Sequence, residues 1–191
     1  MRCSPFTAVY DACILYPEML RSFLMYLATG GEYRARWTAE IREEWKRAIL
    51  LQRPDLEPAK IDRTAVLMEQ VVDDALVTGY EALIAGLELP DANDRHVLAA
   101  AIRCGADVIV TMNLKDFPAT ALNQYGIEAQ HPDEFVENLF DLNQASVLAA
   151  AQAHRKALKH PPHSVAEYLD GLRRQGLVQT AKLLEPFAAI L

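Results

Sequence analysis

The stretch AVYDACILYP at 8–17 places a lone carboxylate, Asp11, directly behind an apolar, strand-like run. Carboxylates are rare at the end of a buried strand. Asp11 has no packing reason to sit there, so it either caps the next helix or holds something. Further acids follow: Glu44 in EIREEW, Asp91 and Asp94 in LPDANDRHVLAAA, and Asp116 in TMNLKDFP, three residues beyond Asn113. Carboxylates that converge repel one another, and only protons or cations offset that repulsion. Hard divalent cations such as Mg2+ and Mn2+ take oxygen ligands and keep waters for a substrate. Acids with such ions are the equipment of phosphodiester hydrolysis. The ions also bind phosphate where bare carboxylates would repel it.

The elements around these residues decide whether they meet. Residues 6–10, FTAVY, read as a buried strand. From Pro17 to about Ala28, Met19, Leu20, Phe23, Leu24 and Leu27 recur at helical spacing, and TGG at 29–31 stops the helix. WTAEIREEWKRAIL begins on an N-cap candidate, Thr38, and Ile41, Trp45 and Ile49 share its buried face. Glu44 then lies at the border of that face. Glu40 and Glu43 read as a solvated face that pairs with Arg47 or Lys46. Residues 58–71 are a further helix, and 75–77 a candidate short strand.

Pro-Asp-x-x-Asp at 90–94 opens an Ala-rich helix that Gly105 closes. Asp91 is also a good N-cap there, and Asp94 suits the helix dipole. DVIVTMN at 107–113 is the clearest strand. A short helix follows Pro118, with Asp116 a candidate cap, and GIEAQHP is another strand candidate. Strand and helix alternate through residue 130, which predicts a parallel sheet with helices on both faces. In such sheets ligands bind in the crevice at the strand carboxyl ends. Asp11 occupies that position after one strand, and Thr111, Asn113 and Asp116 occupy it after another. Helix starts lie on the same edge, so Asp94 can point at Asp11.

With 191 residues, 51% of them hydrophobic, the chain fits one packed domain or a domain with an appendage. Its net charge of -7 excludes a protein that grips nucleic acid by bulk charge. Contacts to RNA would need a local patch, for which Arg34, Arg36, Lys46, Arg95 and Lys115 are candidates. Three cysteines, Cys3, Cys13 and Cys104, with no CxxC, argue against a disulfide framework or zinc knuckle and suit a reduced, cytoplasmic setting. The N-terminal apolar run is too short for a signal peptide or a membrane span. Beyond Pro132 only helical periodicity remains; four of the five histidines lie within 131–191 without ligand-like spacing, and they read as surface or boundary residues.

Taken together, VYDACILYP, EIREEW, LPDANDRHVLAAAIRCGADVIVTMNLKDFP and GIEAQHPDEF resemble a PIN domain, and more specifically the bacterial PIN proteins that act as VapC-type toxins. The resemblance covers about residues 5–135. It implies a three-layer α/β/α fold with a central parallel sheet over 1–132 and an all-helical C-terminal extension over 133–191, like that of some larger members. It also implies a metal-dependent endoribonuclease, the toxin of a type II toxin–antitoxin system, using Mg2+ or Mn2+. Carried over, Asp11 is the first metal ligand, Glu44 the second acid and Asp94 the third, with Asp91 an extra acid nearby. Many PIN domains carry Asp where this chain has Asn113; Asp116, three residues on, then supplies the missing carboxylate. The implied partners are an RNA substrate, a cognate antitoxin and a second copy of the chain, for which the helices at 17–28 and 58–71 offer apolar faces.

Asn113 keeps a second reading open, a PIN-like scaffold that binds RNA or a protein without cleaving. A haloacid-dehalogenase-type phosphohydrolase would need a second Asp two residues after Asp11, where the chain has Cys13. A receiver-like phosphoacceptor would need paired acids and a lysine on a later strand, and neither occurs.

Overall fold

The computed structural model describes residues 6–159 and 161–191. Four strands, β1 (Phe6–Tyr10), β2 (Tyr33–Arg36), β3 (Val108–Val110) and β4 (Glu128–Gln130), form one parallel sheet in the order β2-β1-β3-β4. Helices α1 (Ala12–Leu15), α2 (Glu18–Ala28), α3 (Ala39–Gln52), α4 (Pro58–Val71), α5 (Glu81–Ile84), α6 (Arg95–Cys104) and α7 (Ala119–Leu122) connect and flank the strands. The arrangement is the expected three-layer α/β/α fold. A helical part follows, made of α8 (Pro132–Leu142), α9 (Gln144–Ala157), α10 (Val165–Arg174) and α11 (Val178–Leu184).

The sheet order determines where a ligand can go. From β1 the chain crosses one way to β2, and later re-enters on the other side of β1 as β3. The crevice at such a switch point lies between the carboxyl ends of β1 and β3. Asp11 directly follows β1 and Thr111 directly follows β3, so both stand at its mouth. The ladder holds to the last residue: Asp11 N donates to Val110 O at 3.1 Å, and Thr111 N donates to Gln130 O at 3.0 Å.

β1 and β3 are buried nearly throughout, as apolar runs in a parallel sheet must be. β2 is the strand that sequence patterning passed over. Its residues, YRAR, alternate buried and exposed because it is an edge strand, and its two arginines hide the apolar signal. Residues 75–77 form no strand of their own; Leu76 makes a single parallel bridge to Trp37. Helix α6 begins at the 3-10 turn Ala92–Asp94 and ends on Gly105 in the left-handed conformation, φ 62°, which a glycine adopts without strain.

The helices after β4 close on the rest through α2. α9 runs along α2, and α8 and α10 both pack against α11. Asp133 on α8 stitches that packing: Oδ1 accepts from Thr180 N at 2.8 Å and Thr180 Oγ1 at 2.7 Å, and Oδ2 accepts from Gln179 N at 2.8 Å. His154 corrects the expectation of surface or boundary histidines in this part. It is fully buried, stacked on Phe23 with ring centroids 5.6 Å apart, and its Nδ1 lies 3.1 Å from Tyr168 Oη. Burial, with His163 as a lesser contribution, pushes its pKa down to about 4. Cys13 and Cys104 are free thiols; Cys3 and His160 lie outside the described residues. Among the described residues no helix is long and apolar enough to cross a membrane.

Candidate active site

The cleft at the switch point has a volume of about 420 Å³, and its lining includes Asp11, Cys13, Glu44, Trp45, Asp94 and Asn113. Of the residues singled out from sequence, Asp11, Glu44, Asp94 and Asn113 therefore line it. Asp116 is half-buried at the end of the 3-10 turn Leu114–Asp116, and its charge reaches Asp94. The expectation that Asp116 caps α7 is not met: the N-cap there is Pro118, with no side-chain bond.

Asp11 is buried and held by its neighbours on one oxygen. Oδ2 accepts from Thr111 Oγ1 at 2.6 Å and from Cys13 Sγ at 2.9 Å. Both donors are themselves fixed, since Thr111 Oγ1 accepts from Asn113 N at 2.9 Å and Cys13 Sγ from Met112 N at 3.2 Å. The loop after β3 thus grips the carboxylate that ends β1. Burial first, and then the adjacent Asp11 carboxylate, push the Cys13 thiol up to about 12, so it stays a protonated donor.

Asp94 enters from the start of α6. Burial pushes its pKa up to about 6, and the negative charges of Asp11, Asp91 and Asp116 add to the rise. Three other acids therefore bear on this one carboxyl. Asp91 does what its N-cap pattern suggests: Oδ1 accepts from Asn93 N at 2.9 Å.

Glu44 reaches the cleft from α3, one residue before Trp45, which is fully buried and lies under the Arg21 guanidinium at 4.9 Å. His96 Nε2 donates to Glu44 Oε1 at 3.1 Å. Burial disfavours the His96 cation, but the bond to Glu44 and the charges of Glu40 and Asp11 outweigh it, so its pKa is raised. Sequence reasoning did not single out His96. A signal existed: with buried Ala99 and Ala100 at i+3 and i+4, His96 falls on the inner stripe of α6, and a buried imidazole needs a polar partner.

Glu43 pairs as expected with Lys46, at 2.9 Å, on the solvated side of α3. Glu40 does not. It accepts from Tyr80 Oη at 3.1 Å and faces His96 Nδ1 at 3.7 Å, so it belongs to the site's surroundings. Among the residues considered for RNA, Arg36 is paired with Asp74 at 2.8 Å, and Lys46 also with Asp62 at 2.7 Å. Neither is an uncommitted cation at the cleft.

The donor set is rich in carboxylate oxygen, with one amide at Asn113. That chemistry suits a hard divalent cation. The raised Asp94 pKa agrees with that fit: burial is its main cause, and the added negative charge of Asp11, Asp91 and Asp116 is what a cation would relieve. His96 with Glu40 and Glu44 also forms a group whose ligand atoms lie within 4.8 Å of one another.

Residues 7–115, more than half of the chain, match the family described as PIN domain, and residues 132–186 match the VapC50 C-terminal domain. The chain is also similar to a Mycobacterium tuberculosis protein named "Putative ribonuclease VapC50", at 44% identity over 101 residues. That match covers 53% of this chain and 59% of the relative's length. No solved structure matches the chain.

Proposed function

The chain belongs to the PIN domain family, and from that membership we propose that it is a divalent-cation-dependent endoribonuclease, the toxin of a toxin–antitoxin pair. The observation that carries this reading is the meeting of Asp11, Glu44, Asp94 and Asn113 in one cleft at the β1/β3 switch point, with the charge of Asp116 bearing on Asp94. The named relative is described as a ribonuclease, which supports the choice of RNA.

Asp11, Asp94 and Asp116 would hold the ion, Mg2+ or Mn2+. When bound, such an ion supplies a Lewis acid that polarises a phosphate oxygen and lowers the pKa of water. The protein's own part is positioning. Thr111 and Cys13 keep Asp11 in one orientation. Glu44 orients the attacking water, and Asn113, an amide, donates to a phosphate oxygen that a carboxylate would repel. Water gives its hydroxyl to phosphorus and the departing ribose oxygen leaves with a proton, so no side chain is needed as a nucleophile.

In this reading residues 1–132 form the nuclease unit and 133–191 a helical extension. The protein acts in the cytoplasm on RNA, as a homodimer, and is restrained by an antitoxin that inserts a segment with a basic residue near the acids. The test is cleavage of labelled RNA with Mn2+, with chelator, and by Asp11→Asn. Cleavage should require the ion and vanish in Asp11→Asn while the circular dichroism spectrum is unchanged. An Asp11→Asn protein that cuts at the wild-type rate would overturn the assignment.

A further inference from the structure

We propose that His96 is the positioning residue for Glu44, clamping α3 to the start of α6 so that Glu44 and Asp94 are presented to the cleft together. This inference rests on the proposed nuclease function.

The need for a clamp follows from Glu44 itself. It is a three-torsion side chain, partly exposed, on the border of a helix face. Left alone it would lose order, because holding a Glu in one rotamer costs on the order of 1.5–2 kcal/mol. A water-orienting carboxylate must nonetheless be fixed closely. Glu44 Oε1 is met by His96 Nε2 at 3.1 Å.

His96 is suited to the task. It is 5% exposed, two residues after Asp94, and its position is set by the buried face of α6. The other ring nitrogen, Nδ1, is buried without a hydrogen-bond partner and faces Glu40 Oε2 at 3.7 Å. Glu40 is one helical turn before Glu44 and is held by Tyr80 Oη at 3.1 Å. The two ring nitrogens therefore face two carboxylates of the same α3 face. Nε2 bonds the one that lines the cleft, and Nδ1 faces the other, which is tethered to Tyr80. The same helix start thus supplies Asp94 to the cleft and fixes Glu44 from behind.

The geometry makes a sharp distinction between two replacements. A Gln amide nitrogen reaches the place of the imidazole Nε2, whereas an Asn amide nitrogen reaches only that of Nδ1. His96→Gln should keep the bond to Glu44, and His96→Asn should lose it. In full-length protein with Mn2+ and labelled RNA, His96→Asn should lower kcat by about 10- to 100-fold with little change in KM, and His96→Gln should stay within about threefold of wild type. Pairing His96→Asn with Glu44→Ala should add no further loss beyond Glu44→Ala alone. Equal activity of the two His96 variants, a loss confined to KM, or additive losses would overturn the proposal.

A second measurement stands if the variants fold poorly or if no RNA is cut. In the metal-free wild-type protein, NMR should show a slowly exchanging His96 Nε2 proton whose exchange quickens in Glu44→Ala. An exchange rate unchanged by Glu44→Ala would refute the clamp. Wild-type protein that shows this proton yet never cuts RNA would instead refute the nuclease assignment.

Discussion

Thr111 Oγ1 donates to Asp11 Oδ2 across 2.6 Å, joining the carboxyl ends of two adjacent strands through a residue pair separated by 100 positions in sequence. The bond makes a strand-end carboxylate part of a built site, because Asp11 is buried and would be costly there without donors. Replacing Thr111 with Val keeps the volume and removes the donor. Such a bond to an ionised group contributes about 1.5–3 kcal/mol. Thr111→Val should therefore lower the urea midpoint of the metal-free protein at neutral pH, with the denaturant slope unchanged. An unaltered midpoint would mean that Thr111 does not hold the carboxylate.

Asp94 predicts a pH effect of unusual sign. Its folded pKa, about 6, lies above the ordinary carboxyl value of 3.8. The folded state binds the proton more tightly, so this group's contribution is fully present below pH 3.8 and is lost as pH rises through about 6. Above that, the ionised Asp94 strains the metal-free fold. Asp94→Asn should then stabilise the metal-free protein at neutral pH, by on the order of 1 kcal/mol once solvent screening of this half-buried group is allowed for. Adding Mn2+ should raise the wild-type melting temperature and leave the variant's nearly unchanged.

His154 works in the opposite direction. Its folded pKa, about 4, is below the ordinary 6.5, so its contribution is full above pH 6.5 and is lost as pH falls toward 4. The difference corresponds to about 3 kcal/mol. The Asp94 and His154 windows overlap with opposite signs, and the Asp94→Asn background isolates the second. In that background, thermal melts from neutral to acid pH should show a loss of stability that His154→Gln flattens. His154→Gln should also lower stability at neutral pH, because the stacking on Phe23 goes with the ring.

Asp133→Ala removes three bonds at the start of α11. Losing such a cap costs about 1–2 kcal/mol. Amide hydrogen exchange over residues 178–184 should quicken while RNA cleavage stays at the wild-type level. A cleavage defect would place α11 in the working parts of the enzyme.

The sequence was most legible where one residue broke a pattern. Asp11 ends an apolar strand, and Asp94 sits at a helix start, so their meeting followed from parallel-sheet geometry alone. β2 was not legible, since an edge strand written YRAR has no apolar run to see. His96 and His154 were missed for a shared reason: each lies on the buried stripe of its helix among alanines, and histidine does not declare from sequence whether it faces water or the core. Val147, Ala150 and Ala151 mark that stripe for His154, as Ala99 and Ala100 do for His96. Glu40 was assigned to solvent because its partners, Tyr80 and His96, come from elements 40 and 56 residues away.

The most direct test is the Mn2+ activation curve of RNA cleavage, measured side by side for wild type and Asp94→Asn. The expected result is no cleavage in chelator, a saturable rise with Mn2+ for wild type, and for Asp94→Asn a rate lower by about tenfold or more with the curve displaced to higher Mn2+. Cleavage by wild type in chelator, or two superimposed curves, would contradict a nuclease centre built from these acids around a divalent ion.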